Sequence, residues 1–365
     1  MKNSVKPINI VEYTRTHLNP ITIEEYNEVD YAILAKFVYF NFEIYINDLN
    51  KDSLYIKDLY DFSKFDAFLK RPNYKKEDLT LLTYMCGSPR FRNIKIKNYV
   101  HNNDKNNLEQ FAAITFILEN NDEVIAFRGT DATITGWNED FNMAIETPVP
   151  AQKDAENYLN KYGLETKKDL YIIGHSKGGN LALYSLLTAN DDIYRKIKKV
   201  YSLDGPGLEP KYFKEFNHAK LKDLYCKIIP NESIIGMIFD TDEYCEIIKS
   251  NRTLLLQHNL YTWQVVGHKF VHVDSLNDSV KSFDISFNNW VKECNENERK
   301  LIIEMIFTII KRGKATSADI INNKQNHYNI SKMIGEYRLM AKNKKDEFKD
   351  LALRLIKKIF STDDD

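Results

Sequence analysis

One short segment, GHSKGG at 174–179, constrains the fold of this 365-residue chain more than any other. It directly follows LYII, a short apolar run typical of a buried strand, and directly precedes NLALYSLL, which has a helical pattern. A glycine on each side of Ser176 allows the strand and the helix to approach closely across a tight turn. Strand, turn and helix in this order predict a nucleophile elbow, in which the backbone raises the hydroxyl of Ser176 above the end of the strand.

Two other interpretations of this segment stay open. A glycine-rich turn can cradle a phosphate, and a plain turn between a strand and a helix can carry a surface serine that does no chemistry. The phosphate-binding loop of nucleotide hydrolases requires G-x-x-x-x-G-K-[ST], which these residues do not match. The setting between strand and helix therefore favours the elbow.

The middle of the chain alternates strand-like and helix-like segments. AAITFILE and EVIAFRG, at 112–119 and 123–129, predict two strands joined by a short turn, hence a hairpin. KKVYSL at 198–203 and DLYCKIIP at 223–230 predict two further strands. This alternation, together with the elbow, predicts an α/β-hydrolase fold with a mainly parallel central sheet flanked by helices.

The two ends of the chain differ from its middle. Residues 1–110 form a mainly helical N-terminal part, with helices expected around 24–43 and 74–91. From about residue 280 the strand signals stop, and amphipathic helices follow. We therefore predict an α/β-hydrolase domain over 1–279 and a helical C-terminal region over 280–365, for which the sequence indicates no role.

Charge and cysteine content exclude several classes of partner and cofactor. The 51 basic and 52 acidic residues leave a net charge of −1, which gives no overall field to attract nucleic acid. The four cysteines are far apart and lack the spacing of metal ligands, so no metal, other cofactor or disulfide framework is expected. No run is apolar enough for a signal peptide or a transmembrane segment, and we expect a cytoplasmic protein of unknown oligomeric state.

A serine nucleophile requires a base, and an acid that orients the base. In the predicted fold, the acid and the histidine follow the serine along the chain in that order. Asp204 ends the strand after the elbow, at the edge where parallel sheets carry their catalytic groups, and we predict it to be the acid. Alternatively, Asp204 only caps the turn before Gly205, and Glu232 or Asp240 is the acid.

Chain order restricts the base to a histidine after Asp204. His258 follows the strand-like run LLL and opens a loop, as a base carried above the sheet would. The other histidines in this part lie in charged helical segments or in an alternating strand-like run: His218, His268, His272 and His327. We therefore predict His258 to be the base, and we expect His175, next to the serine, to be packed structurally.

The transition state also requires hydrogen-bond donors for the oxyanion. One is the backbone N–H of the residue after the nucleophile, which is Lys177. The second comes from the loop after an earlier strand, and Thr130, just beyond EVIAF, is the candidate. Arg128, Trp137 and Asp140 lie in the same segment and are expected to shape or brace the loop, although surface ion pairing is the simpler interpretation of Arg128 and Asp140.

Several ordered motifs together resemble a known family. They are FRGTD at 127–131, GWNED at 136–140, GHSKGGNLA at 174–182, DGPG at 204–207, and QH at 257–258 with Trp263. The set resembles the class 3 lipases, and most closely a lipase-like family of bacterial α/β-hydrolases. The resemblance covers about residues 25–275, and it implies that Ser176 is the nucleophile and Thr130 an oxyanion donor.

The resemblance also implies a function. A lipase, esterase or thioesterase of this kind cleaves a carboxylic ester of a small molecule or a lipid through a Ser-His-Asp triad and an acyl-enzyme. Class 3 lipases usually carry the acid one strand after the position of Asp204, where this chain has Ser233. The alternative function is that of a non-catalytic protein of the same fold, which binds a partner through the helical region 280–365.

Overall fold

The computed structural model describes most of the first 277 residues. The described ranges are 6–70, 74–104, 109–130, 148–208, 218–233, 235–237 and 245–277, with Lys342, Asn343, Asp346, Lys349 and Asp350 near the C-terminus. Those five positions are helical, and the rest of the predicted helical region 280–365 lies outside the described residues. The division into 1–279 and 280–365 therefore stays a prediction. Among the described residues, no helix has the length and apolar character needed to cross a membrane.

A nine-stranded sheet forms the centre of the described structure. Its strands, in spatial order, are β1 (Leu54–Tyr55), β2 (Lys95–Asp104), β3 (Glu109–Ile117), β4 (Glu123–Phe127), β5 (Leu170–His175), β6 (Ile197–Leu203), β7 (Tyr225–Pro230), β8 (Cys245–Ile248) and β11 (His272–Val273). A separate two-stranded ribbon pairs β9 (Val265–Val266) with β10 (Lys269–Phe270).

The sheet is parallel in its centre and antiparallel at both sides. Strands β4 to β8 are parallel to one another, as the alternation of strands and helices predicted. Strands β1 to β4 are joined antiparallel, and β11 is antiparallel to β8. The expectation of a mainly parallel sheet therefore holds for the five central strands only, because hairpin partners and short edge strands are added antiparallel on both sides.

Helices cover both faces of this mixed sheet. They are α1 (Ile10–Thr16), α2 (Glu28–Phe37), α3 (Ile46–Lys51), α4 (Phe65–Phe68), α5 (Lys75–Gly87), α6 (Pro150–Tyr158), α7 (Lys177–Thr188), α8 (Asp191–Tyr194) and α9 (His218–Leu224). The N-terminal helices pack on one face with Ile173 of β5, whereas α6 and α7 pack on the other face with Ile172. Successive strand residues point to opposite faces, so the central strands contribute to both cores. Each buried aliphatic side chain stabilises this three-layer arrangement by about 1.5–3 kcal/mol.

The position of α2 over the sheet follows from its polar residues. The side chain of Asn27 accepts the N–H of Val29, and the carboxylate of Asp30 accepts the N–H of Asn27, both at 2.9 Å. This capping box starts the helix. Asp30 also accepts two hydrogen bonds from the guanidinium of Arg90, at 2.6 and 2.7 Å, in the buried interior. The bidentate pair fixes α2 to the segment that follows α5.

Most of the elements predicted from the sequence are present. The two N-terminal helices correspond to α2 and α5, the hairpin to β3 and β4, and the elbow to β5 and α7. Strand β2 was not predicted, although it is the partner of β3 along almost its whole length. Its sequence KIKNYVHNND is mostly polar, and a bulge between Lys97 and Val100, with Asn98 at φ 57°, breaks the alternation of apolar residues.

Candidate active site

Ser176 lies between the end of β5 and the start of α7. Its backbone has φ 59° and ψ −130°, a conformation that residues other than glycine rarely adopt. The N–H of Ser176 donates to the carbonyl of Leu203 at 3.0 Å, and the N–H of Gly179 donates to the carbonyl of Ser176 at 2.9 Å. The neighbouring strand and the first turn of the helix thus hold the residue in a strained conformation. This is the strand–turn–helix geometry that the sequence predicted.

Two glycines make this geometry sterically feasible. A Cβ atom at Gly174 would collide with the carbonyl group of Gly178, and a Cβ atom at Gly178 would collide with the carbonyl oxygen of Phe127. Both obstacles are backbone atoms, which cannot move aside as the end of a long side chain can. The close packing of β4, β5 and α7 around the serine therefore requires glycine at both positions.

Asp204 follows β6 at the same edge of the sheet as Ser176. His175 and Leu203 are partners in the parallel register of β5 and β6, so the residues that follow them are neighbours. Asp204 has φ 49°, and its N–H donates to the carbonyl of Ile228 at 2.8 Å. The residue is 1% exposed. A carboxylate buried to this extent requires hydrogen-bond donors close by.

Two side chains from later in the chain supply those donors. His258 donates from Nδ1 to Oδ2 of Asp204 at 2.6 Å, and Ser233 donates from Oγ to Oδ1. The N–H of Gly236 in turn donates to Oγ of Ser233 at 2.9 Å. The side chain of His258 is 27% exposed, against 1% for that of Asp204, so the pair runs from the interior towards the surface. With the proton on Nδ1, a neutral His258 carries its lone pair on Nε2, which is the form a general base requires.

Glu232, the alternative acid, has different partners. Its carboxylate accepts a hydrogen bond from Asn277 at 3.2 Å and lies 3.4 Å from Nε2 of Gln257. The carboxylate that contacts the imidazole of His258 is that of Asp204. The geometry therefore favours Asp204 over Glu232 as the partner of the histidine.

Gln257 and Trp263, which belong to the same sequence motif as His258, hold the loop that carries His258. His258 closes a 3-10 turn over 254–258, so the strand-like run expected before it is not a strand. The side chain of Gln257 accepts the N–H of Glu232 at 3.0 Å, and the main-chain carbonyl of Gln257 accepts Nε1–H of Trp263 at 2.8 Å. Both Gln257 and Trp263 are buried. They anchor the turn beside the end of β7, where His258 reaches the carboxylate of Asp204, the residue that follows β6.

His175 makes contacts that the sequence analysis missed. Its Nε2 donates to the main-chain carbonyl of His258 at 2.7 Å, and the centres of the two imidazole rings are 4.5 Å apart. Its Nδ1 lies 2.9 Å from the hydroxyl of Tyr39, a residue 136 positions earlier that follows α2. His175 is 8% exposed, in keeping with the expected structural packing, but it also joins three segments of the site. Tyr39 belongs to no motif and lies inside the helix predicted over 24–43, so no pattern in the sequence indicated this contact.

The two predicted oxyanion donors are Thr130, which lies well before Ser176 in the chain, and Lys177, which directly follows it. A Cβ atom at Gly129 would lie 3.1 Å from Cβ of Ser176, so the segment that leads into Thr130 passes directly against the serine. Lys177 begins α7, and backbone N–H groups at a helix N-terminus point out of the helix. The side chain of Lys177 is buried, and its Nζ donates to the carbonyl of Gln110 at 2.6 Å.

The structure thus brings Ser176, Asp204 and His258 to one sheet edge and pairs the last two directly. Within the described ranges, Oγ of Ser176 and Nε2 of His258 make no hydrogen bond with each other. Such bonds are often long in enzymes without substrate and shorten in the reacting complex. Four residues named from the sequence lie outside the described residues: Trp137, Asp140, Asp240 and His327.

Comparisons with known proteins relate the chain to a family. A family model described as Mbeg1-like matches residues 85–308, which is more than half of the chain. The comparison with curated proteins gave no match. Among solved structures, "Crystal structure of M37 lipase" is similar over 51% of this chain and 69% of that chain, with 16% sequence identity and a TM-score of 0.32. A likeness of this degree supports no conclusion about fold or activity.

Proposed function

This chain belongs to the Mbeg1-like family, and we propose that it is a lipase-like serine hydrolase with the α/β-hydrolase fold. The observation that carries the proposal is one sheet edge that holds a strained Ser176 and, at the next strand end, a buried Asp204 hydrogen-bonded to the partly exposed His258. Such backbone strain costs about 1–3 kcal/mol and persists where the surroundings enforce it, often at active sites. The bond cleaved is a carboxylic ester, in a small molecule or in a lipid.

The proposed reaction has two halves. His258 accepts the proton of Ser176 at Nε2 while Oγ attacks the carbonyl carbon of the ester, and Asp204 stabilises the imidazolium that forms. The tetrahedral intermediate collapses when His258 gives this proton to the leaving alcohol. A water molecule, deprotonated by His258, then attacks the acyl-enzyme and releases the carboxylic acid, which regenerates Ser176. These steps require no metal or other cofactor.

The backbone N–H groups of Thr130 and Lys177 stabilise the oxyanion in this mechanism. Both residues adjoin the serine, one through the close approach of Gly129 and the other through the start of α7. Losing one such donor typically costs about 3–4 kcal/mol of transition-state stabilisation. The two groups act only when the carbonyl oxygen becomes negative, so they raise the rate of the chemical step rather than the affinity for the ester.

The choice of an ester follows from the lipase resemblance of the motifs. An apolar acyl group, bound as an ester or a thioester, is the proposed substrate class. Amide bonds are cleaved by the same arrangement of groups, and a fold by itself does not fix a substrate. A panel of substrates must therefore vary both the acyl chain length and the bond that is cleaved.

Labelling with a fluorophosphonate probe tests the proposal, because the probe reacts with an activated serine. We expect the wild type to be labelled, and Ser176→Ala and His258→Ala to remain unlabelled. A matched control is Ser63→Ala, which removes an exposed hydroxyl bonded only to Asp61 at 2.6 Å and is expected to label like the wild type. Labelling should be followed by hydrolysis of p-nitrophenyl esters of increasing chain length.

A folded wild type that is neither labelled nor active on the panel would contradict the hydrolase. In that case the alternative, a non-catalytic protein that binds a partner, gains support. Labelling that persists in Ser176→Ala would instead show that the reactive serine lies elsewhere. The circular dichroism spectrum of each variant checks that the fold is retained.

A further inference from the structure

We propose that His175 is a positioning residue, which fixes the main chain of the catalytic base through a hydrogen bond to the carbonyl of His258 and is itself held by Tyr39. The inference rests on the proposed function, since it assigns His258 the role of the base. It extends that function to the N-terminal helical layer, because Tyr39 follows α2.

The contacts of His175 define its tautomer. A carbonyl oxygen only accepts hydrogen bonds, so Nε2, 2.7 Å from the carbonyl of His258, must carry a proton. In a neutral imidazole the other nitrogen, Nδ1, is an acceptor. It lies 2.9 Å from the hydroxyl of Tyr39, which also lies 3.2 Å from the main-chain carbonyl of His175, so the one hydroxyl proton serves these two acceptors. The carbonyl of His258 therefore selects the tautomer of His175, and the hydroxyl of Tyr39 holds the imidazole from its other side.

The ring of His175 also forms part of the surroundings of the base. The ring centres of His175 and His258 are 4.5 Å apart, with an angle of 34° between the planes. His258 becomes positively charged when it accepts the proton of Ser176, and a second charge at this distance would oppose that step. A neutral His175 avoids the second charge, and its ring packs beside the catalytic ring.

A second set of contacts joins the N-terminal helical layer, here α2 and α5, to the loop that carries His258. Lys36 on α2 has its Nζ 3.5 Å from Oδ1 of Asp78 on α5 and 4.4 Å from the ring centre of Tyr261. The hydroxyl of Tyr261 donates to Oδ1 of Asp78 at 2.6 Å. Tyr261 lies three residues after His258 in the sequence. The layer formed by α2 and α5 thus holds the histidine loop at two points, through Tyr39 and His175 and through Tyr261.

Substitution of His175 by glutamine or by asparagine distinguishes a positioning role of His175 from a role in packing alone. A glutamine at 175 carries its NH2 group about where Nε2 of histidine lies, whereas the shorter asparagine places its amide near Nδ1. His175→Gln therefore keeps a donor for the carbonyl of His258, and His175→Asn loses it, although both variants remove the ring. A role in positioning predicts rescue by glutamine, and a role in packing alone does not.

The experiment compares kcat, KM and the fluorophosphonate labelling rate of the wild type, His175→Asn, His175→Gln and Tyr39→Phe. We expect His175→Asn to lower kcat and the labelling rate about tenfold, the effect of one lost hydrogen bond, with KM little changed. His175→Gln should recover most of this loss, and Tyr39→Phe should lower kcat by a smaller factor.

Two variants serve as matched controls. His268→Asn removes a half-exposed histidine that pairs with Glu24, away from Ser176. Tyr45→Phe removes a buried tyrosine hydroxyl that has no hydrogen-bond partner among the described residues. Both controls should keep the kcat of the wild type, which ties any loss in the test variants to their contacts with His258.

A spectroscopic arm keeps the inference testable if the hydrolase proposal fails. The Nδ1 proton of His258, hydrogen-bonded to Asp204, should give a low-field proton resonance that is absent in Asp204→Asn. We expect this resonance to be lost in His175→Asn and kept in His175→Gln. A folded His175→Asn variant with an unchanged resonance, or with unchanged kcat in an active enzyme, would overturn the role of His175. Absent labelling of the wild type would count against the proposed function alone.

Discussion

Ser233 donates a hydrogen bond from its hydroxyl to the carboxylate of Asp204, although the two residues follow different strands. Strands β6 and β7 are parallel neighbours, and their ends bring the two side chains together. Class 3 lipases, which the motifs resemble, usually carry their acid at the position of Ser233. In this chain Ser233 therefore stands beside the carboxylate that contacts His258 and supplies a hydrogen bond in place of a second negative charge.

Replacing Ser233 by alanine should destabilise the protein. Asp204 would lose one of its donors, and the N–H of Gly236 would lose its acceptor, both in the buried interior. We expect the free energy of unfolding to fall by about 1–3 kcal/mol, measured by urea denaturation near neutral pH. Ser202→Ala is the matched control, because the buried hydroxyl of Ser202 has no partner among the described residues. Equal effects of the two substitutions would contradict this role of Ser233.

The acid can be identified by neutralising each carboxylate in turn. Asp204→Asn keeps the shape of the side chain but presents the wrong hydrogen-bonding partner to Nδ1 of His258. We expect kcat to fall by up to about ten-thousandfold, as in serine enzymes whose histidine is forced into the wrong tautomer. Glu232→Gln should change kcat by less than about threefold, since its carboxylate contacts the amides of Asn277 and Gln257 and Nδ1 of His258 is held by Asp204. The reverse order of effects would make Glu232 the acid.

The anchor of the histidine loop is also open to test. Gln257→Ala removes a side chain that accepts the N–H of Glu232 at 3.0 Å and donates to the carbonyl of Arg252 at 2.7 Å. We expect about 1–3 kcal/mol of lost stability, because two backbone groups in a part-buried setting lose their partners, together with a lower kcat from a mobile His258. Gln264→Ala, whose amide makes a weaker bond at 3.2 Å, is the control in thermal melts and in kinetic assays.

A pH dependence follows from His272, away from the candidate active site. Its Nε2 lies 2.9 Å from Glu28, and this hydrogen bond is the main cause that raises the pKa of His272 above its ordinary value of 6.5. A group whose pKa is raised by folding contributes stability that is complete below about pH 6.5 and is lost as the pH rises through the higher pKa.

Melting temperatures across this range test the linkage of His272. The advantage in Tm of the wild type over His272→Asn should shrink as the pH is raised from about 5.5 to 8.5. In a Glu28→Gln background the same comparison should show a weaker dependence on pH, because the main cause of the shift is gone. An advantage that grows with pH would contradict the assignment.

The sequence predicted the elements whose contacts are local. The elbow depends on Gly174, Ser176 and Gly178 within one turn, so its pattern is visible in the order of residues. Strand β2 was missed because a strand at the side of a sheet that carries polar residues and a bulge has no regular alternation. The turn over 254–258 was taken for a strand because a short apolar run does not distinguish the two.

The long-range part of the site was beyond the sequence. Choosing between Asp204 and Glu232 requires the order of the strands and the position of the histidine loop, which no local pattern contains. The contact of Tyr39 with His175 joins residues 136 positions apart, and a tyrosine after a helix is most often a packing residue. His175 itself was expected to be structural, and its bond to the carbonyl of His258 depends on where a distant turn comes to lie.

Ser176 and Asp204 share a property that bears on how this chain responds to selection. Both have positive φ, at 59° and 49°, in a region that glycine adopts without strain. Glycine at either position would relieve that strain and remove a side chain on which hydrolysis depends. At Asp204 the gain is opposed by the loss of the hydrogen bonds from His258 and Ser233. Screens for heat resistance that ignore activity would therefore favour loss of Ser176, where robustness and reactivity oppose each other.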